Sequence, residues 1–304
     1  RWRGGGKGLS FDASLAHAAQ LYRLGGYLPG GLAYEEDLTV LREDSEAVLS
    51  ARHHLQAGIE CRWIRVPISG QFVLDADGDG FSLNPDAAGT IASFSKKAEL
   101  ASPSAYLQDR WTSPKGSLDG TVGVRTAYLS SLGTMAWDPR LSLRLAPGPG
   151  WAFFGAGGIF QKYPNPLFSD PDFGNSSLGP ERALGGSLGV EREGLLWSFK
   201  VEGYEKRMDR LILSDSAVKF RNGGDGLGRG LEILLRRVHT AGGSGWISYA
   251  YSVSRRRDGE GEAWHPFDFH QPHIAGLVAS WKATPRLGVG LKARWATGGA
   301  YSPV

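Results

Sequence analysis

The segment Asp75-Ala76-Asp77-Gly78-Asp79-Gly80 sets three carboxylates at alternate positions, and Asp86 follows six residues later. Counted from Asp75, the carboxylates occupy positions 1, 3, 5 and 12 of a calcium loop. Gly80 then stands at the sharp turn, and the backbone carbonyl of Phe81 at position 7. Oxygens so spaced converge on one hard cation. Asp75, Asp77, Asp79, Phe81 and Asp86 therefore form a candidate site for a structural calcium, the one cofactor the sequence suggests. Position 12 is Asp rather than Glu and no helical pattern flanks the segment, so the competing reading is a solvated acidic turn. A second group, Tyr163, Asn165, Phe168 and Asp170 with Asp172 and Phe173, places aromatics beside carboxylates, which suits capture of a small-molecule ligand. His265, His270 and His273 could meet across a loop, but with His53 and His54 they show no metal-ligand spacing on one element. The chain carries no P-loop, CxxC or HExxH motif, and no enzyme is expected.

The elements that would position these groups are strands. Gly is the loudest compositional signal, 44 of 304 residues, beside ten Trp, ten Tyr and thirteen Phe. Gly costs entropy inside helices and strands, so it points to a chain rich in turns. Charge is nearly balanced, 34 Lys+Arg against 31 Asp+Glu, which leaves no bulk field for nucleic acid. The single cysteine, Cys61, excludes an internal disulfide. The longest nearly apolar run, 151–160, is about half of what a spanning helix needs.

Alternation of apolar and polar residues recurs along the chain. Leu118, Gly120, Val122 and Val124 alternate with Asp119, Thr121, Gly123 and Arg125. Leu141, Leu143 and Leu145 alternate with Arg140, Ser142 and Arg144, and Leu195, Trp197, Phe199 and Val201 with Leu196, Ser198, Lys200 and Glu202. Runs of roughly ten such residues are what a tilted strand needs to cross a bilayer. Thirteen strands are expected, near 8–19, 37–49, 53–65, 104–112, 117–128, 138–146, 151–161, 182–191, 195–206, 228–238, 245–255, 272–282 and 286–297. Short turns join some neighbours, and long loops are expected at 65–103, 162–180, 207–227 and 255–268, the asymmetry of outer-membrane barrels. Bacterial single-chain barrels have an even number of strands, so an odd count marks a partial barrel. Arg125, Arg144, Lys200, Glu202, Glu232, Lys292 and Arg294 fall on the lumen register. Trp63, Trp151, Trp281 and Trp295 lie near strand ends, where an interfacial aromatic girdle sits. The Arg255-Arg256-Arg257 cluster is placed to meet lipopolysaccharide phosphates. A soluble propeller or sandwich is the competing fold, but its faces would tolerate charge in either register.

Several segments resemble the barrel of TonB-dependent outer-membrane receptors. Ala105-Tyr106-Leu107-Gln108-Asp109-Arg110-Trp111 followed by Val122-Gly123-Val124-Arg125 is similar to that family's "YxQDxW … GxR" strand pair, and Asp138-Pro139-Arg140-Leu141-Ser142-Leu143-Arg144 to its "PRLSLR" strand. Gly228-Arg229-Gly230-Leu231-Glu232 before Gly245-Trp246-Ile247-Ser248-Tyr249 resembles the "GRGLE … GWxSY" hairpin, and Thr297-Gly298-Gly299-Ala300-Tyr301-Ser302-Pro303 resembles "TGxPYTP". The order of these pieces is more specific than any one of them. The resemblance implies an antiparallel transmembrane β-barrel, here about thirteen of about twenty-two strands. It also implies uptake of a scarce, bulky nutrient (a siderophore, vitamin or similar ligand), energised by TonB through a plug that closes the lumen. Residues 1–304 are then expected to be one partial barrel domain, with the plug and the C-terminal strands outside it. Expected partners are outer-membrane lipids, lipopolysaccharide, TonB and the ligand, with no nucleic acid, in the outer membrane of a Gram-negative bacterium. A passive, porin-like or structural barrel and a secreted soluble β-protein are the alternatives.

Overall fold

A computed structural model describes residues 2–6, 8–24, 32–75, 81–82, 89–130, 132–166, 168–171, 174–215, 217–240 and 243–299. These residues form strands, turns and bends, with no helix among them. In chain order the strands are β1 (Trp2–Gly6), β2 (Leu9–Leu24), β3 (Leu32–Val48), β4 (His53–Asp75), β5 (Phe81–Ser82), β6 (Gly89–Thr112), β7 (Leu118–Leu129) and β8 (Thr134–Gly148). They continue as β9 (Trp151–Lys162), β10 (Glu181–Glu193), β11 (Trp197–Asp215), β12 (Lys219–Thr240), β13 (Gly243–Arg257), β14 (His265–Pro266), β15 (His273–Thr284) and β16 (Leu287–Ala296). Apart from the two-residue β5 and β14, which pair with β4 and β13, each strand bonds antiparallel to its neighbours in the chain. The result is one open up-and-down sheet with β1 and β16 at its edges.

Residues paired across an antiparallel ladder share a face, so the register carries each face across the sheet. Arg144, Phe154, Gly189, Glu202, Glu232 and Ala250 form one row. One residue along, Leu143, Gly155, Leu188, Gly203, Leu231 and Tyr251 form the opposite one. The charged residues assigned to the lumen from alternation lie on the first face. The second face stays open: Leu188 is 76 % exposed and Leu15 68 %. Among the described residues fully buried large side chains are few, Leu178 and Val66 among them. A wall of exposed leucines with almost no core is unstable in water and stable against lipid. This is the wall of a transmembrane barrel with the leucine face outward.

Short connections follow β1, β3, β6, β8, β10, β12 and β15, and the other connections gather at the opposite, extracellular end. Trp151, Trp197 and Trp281 stand on the outer face by the short turns, and Trp63, Trp137 and Trp295 towards the far end, the two girdles expected of a barrel.

Three expectations need correction. The spans 65–103 and 207–227 are largely strand: β4 runs on to Asp75, β6 starts at Gly89, β11 ends at Asp215 and β12 begins at Lys219. Above the bilayer the outer face need not be apolar, and there Arg65 pairs with Glu99 at 3.2 Å while Lys97 also reaches Glu99. Alternation therefore fades while backbone pairing continues. The glycine-rich β1 was not anticipated, because Gly4, Gly5 and Gly6 leave no side-chain pattern to read. With β1, fourteen strands lie along the sheet among the described residues, so the odd count does not stand. The partial barrel rests instead on the open order of strands.

Candidate lumenal site

One ladder row runs Asp44, Gly58, Tyr106, Arg125 and Asp138 across β3, β4, β6, β7 and β8. The next row towards the extracellular end holds Arg42, Glu60 and Ser104. Pairing alone thus brings residues from distant parts of the chain together on the inner wall. Arg42 grips Asp44 with both Nε and Nη2, at 2.6 and 2.9 Å, the fork geometry that makes Arg–carboxylate pairs strong. The Tyr106 hydroxyl donates to Asp44 Oδ1 at 2.7 Å. It crosses β4 to do so, and Gly58 leaves the room: a Cβ there would meet the Tyr106 ring at 2.5 Å and the Glu43 carbonyl oxygen at 2.7 Å.

Glu60 lies at the centre of three guanidiniums. Its carboxylate accepts from Arg62 at 2.8 Å and Arg125 at 3.1 Å, with Arg42 3.7 Å away, and its side chain is only 11 % exposed. Arg125 also donates to the Ser104 hydroxyl at 3.0 Å. Three cations around one carboxylate leave the wall locally electropositive, even with Asp44 beside Arg42.

Arg62 and Arg125 look into a cavity of about 620 Å³ at the extracellular end of the lumen, which Arg140, Asp138, Phe160 and Tyr163 also line. One oxygen of Asp138, Oδ1, is buried and without a partner. Burial, with Asp138 nearby, pushes the Tyr163 phenol up to about 12, so it stays a hydrogen-bond donor at any physiological pH. The pocket therefore offers guanidinium and phenolic donors beside apolar ring faces.

The segment 163–180 reaches this cavity from the end of β9. Tyr163, Asn165 and Phe168 line it, whereas Asp170 does not. Phe168 stacks on Phe220 of β12 at 4.5 Å, and the buried Asp170 pairs with Lys96 of β6 at 2.7 Å, so these two residues also fasten the loop to the wall. The strand part of the sheet accounts for Arg144, which pairs with Glu191, and for Lys200, which meets Glu202 at 2.7 Å and lies over Phe154.

In the acidic segment, Asp77, Asp79 and Asp86 lie outside the described residues, while Asp75 and Phe81 mark backbone positions where β4 ends and β5 begins. Among the described residues no group of three His, Cys, Asp or Glu is arranged to hold a metal. The histidines do not converge: His273 bonds Tyr249 at 2.8 Å and His265 lies 3.6 Å from Asp258. The Arg255–Arg257 cluster is engaged within the protein, with Arg257 on Asp225 at 2.6 Å and Arg256 over Phe267.

Sequence reading found Arg125, Tyr163, Asn165 and Phe168 but missed Arg42, Asp44, Glu60, Arg62 and Tyr106. The available signal was register: once β3, β4 and β6 are paired, all five fall on one face.

An up-and-down wall with an apolar outside, two aromatic girdles and a charged inside defines the class: an outer-membrane β-barrel. The family model described as "TonB dependent receptor-like, beta-barrel" matches residues 2–304, and the chain belongs to that family. Among solved structures, the ferric enterobactin receptor PfeA of Pseudomonas aeruginosa superposes with a TM-score of 0.72 at 16% identity, over 97% of this chain and 48% of that one. The siderophore receptor PirA of Acinetobacter baumannii gives 0.71 at 15%, over 96% and 49%. The FrpB iron transporter of Neisseria meningitidis gives 0.69 at 11%, over 94% and 48%. At such identities the likeness is one of fold. The chain spans about half the length of these structures. No curated protein matches it in sequence.

Proposed function

We propose that the chain is barrel wall of a receptor in the Gram-negative outer membrane, taking up a scarce, bulky nutrient of siderophore type by binding and gating rather than by chemistry. Energy would come through TonB, acting on a plug domain seated in the lumen. The observation that carries this reading is the cavity of about 620 Å³ into which Arg62 and Arg125 look. Ferric chelates with anionic oxygen donors offer the charge that two guanidiniums accept, and ring faces such as Phe160 and Tyr163 suit their apolar arms. Membership of the receptor family supports the reading, as do the iron and siderophore roles of PfeA, PirA and FrpB. Tyr163, Asn165 and Phe168 would touch ligand, with Asp170 fixing their loop. Lipopolysaccharide would surround the extracellular girdle.

The test is growth of a strain deleted for the gene on a panel of scarce iron sources, joined to binding of each ferric chelate by the full-length protein. One chelate should support growth only with the gene present. Arg62→Gln and Arg125→Gln should each weaken its binding by about tenfold, the worth of a charge-assisted hydrogen bond. Uptake that proceeds unchanged without TonB would overturn the energised reading in favour of a passive pore.

A calcium ion in the 75–86 segment belongs to the same proposal. Calcium should raise the thermal midpoint of the protein, EDTA should reverse the rise, and Asp77→Asn with Asp79→Asn should abolish it. A midpoint indifferent to calcium would leave the segment an acidic turn.

A further inference from the structure

The outer face bears one feature that ligand uptake does not use. At the short-turn end, β11, β12, β13 and β15 enclose a groove of about 380 Å³. The ladder aligns Trp197 with Arg237, Arg237 with Gly245, and Gly245 with Ala279, all in the outward register. Gly245 and Ala279 make a floor of minimal height, Leu235, Ile247 and Leu277 form the wall towards the bilayer centre, and Trp197 and Trp281 flank the rim.

Arg237 is the exception in this apolar setting. Its guanidinium carbon lies 5.7 Å from the Trp197 ring centre, and its Nε is buried without a hydrogen-bond partner. Two strands away the motif repeats, with Arg192 5.2 Å from the ring of Trp151, which is itself edge-on to Phe199. Among the described residues, neither arginine has a carboxylate partner. The nearby acids point inward: Glu191 and Glu202 share the lumenal face with Arg144 and Lys200. A guanidinium facing lipid without a counterion is costly unless an anion meets it at the membrane interface.

We propose that this groove binds one anionic phospholipid of the periplasmic leaflet. Its phosphate would sit on Arg237, and one acyl chain would lie over Gly245 and Ala279 against Ile247 and Leu277. The position argues for this occupant. The groove opens outward on the membrane-facing wall, its cation stands at the depth of headgroups beside an aromatic girdle, and its floor is as apolar as an acyl chain. A zwitterionic lipid brings its own cation to the same spot, so net negative charge is favoured.

The full-length protein would be reconstituted in nanodiscs of equimolar phosphatidylethanolamine and phosphatidylglycerol, exchanged into detergent, and its retained lipid counted by native mass spectrometry. Wild type should keep one phosphatidylglycerol in preference to phosphatidylethanolamine. Arg237→Gln should lower that retention by about tenfold or more. Ala279→Phe, which fills the groove and leaves the charge in place, should lower it as well. Arg207→Gln, on the outer face at the extracellular end, should change nothing. Heat-modifiable gel migration reports whether each variant is folded, and either of the two groove variants suffices for the test. Equal retention of both lipids by wild type, or undiminished phosphatidylglycerol in a folded Arg237→Gln or Ala279→Phe protein, would overturn the proposal. Because the readout is lipid alone, a failed search for the transported nutrient would leave this result untouched.

Discussion

At Glu60 one carboxylate serves three guanidiniums, and removing its charge leaves Arg42, Arg62 and Arg125 facing each other across a partly dry wall. Glu60→Gln is expected to cost about 1–3 kcal/mol, less than for a deeply buried pair because the lumen is wet. Denaturant titration of the folded barrel in detergent measures it, and a change within error of zero would mean that solvent already screens the cluster. Gly58→Ala should cost about 1–2 kcal/mol by pushing Tyr106 off Asp44. Repeating that substitution in a Tyr106→Ala background should recover much of the loss, leaving only the contact with the Glu43 carbonyl. Little of this was legible in the sequence. Tyr106 and Asp44 are 62 residues apart, and no local pattern tells which strand lies beside which, nor that a glycine lets a ring cross between them. Arg125 was readable because its own strand alternates cleanly. Glu60 and Arg62 belong to an equally clean run, but their partners come from elsewhere.

At the scale of the strand, lipid is what makes sequence readable. Inside the bilayer each outward position must be apolar, so β7, β8, β11, β13 and β16 announce themselves by period two. The same rule predicts unequal tolerance of charge. Leu188→Arg, on the outer face, should cost about 2–4 kcal/mol, whereas Thr121→Lys on the lumenal face should stay within about 0.5 kcal/mol of wild type. Refolding into lipid vesicles followed by denaturant unfolding compares the two, and equal penalties would contradict the assignment of faces. Beyond the bilayer the constraint lapses. That is why the upper parts of β4, β6, β11 and β12 read as loop although they remain paired, and why β1, with three glycines in five residues, went unseen.

For the molecule as a whole, the governing fact is that the sheet is open. Among the described residues β1 and β16 each pair on one side only, and such an edge offers a row of backbone donors and acceptors, the arrangement that drives strands to join across chains. Residues 1–304 prepared alone in detergent should therefore self-associate edge to edge, as light scattering coupled to size exclusion would report; a stable monomer would show that the two edges find another way to close. The tall hairpins have a different consequence. With 23 and 24 residues, β4 and β6 extend roughly 75 Å, far more than a bilayer's hydrocarbon thickness of about 30 Å. Arg65, Lys96 and Lys97 stand in that projecting part, all three within the ladder that joins the two strands. A protease must draw an unpaired, extended segment into its cleft, and a ladder does not yield one. Trypsin added to intact cells should spare these three sites, so the projecting wall would work as armour against digestion from outside.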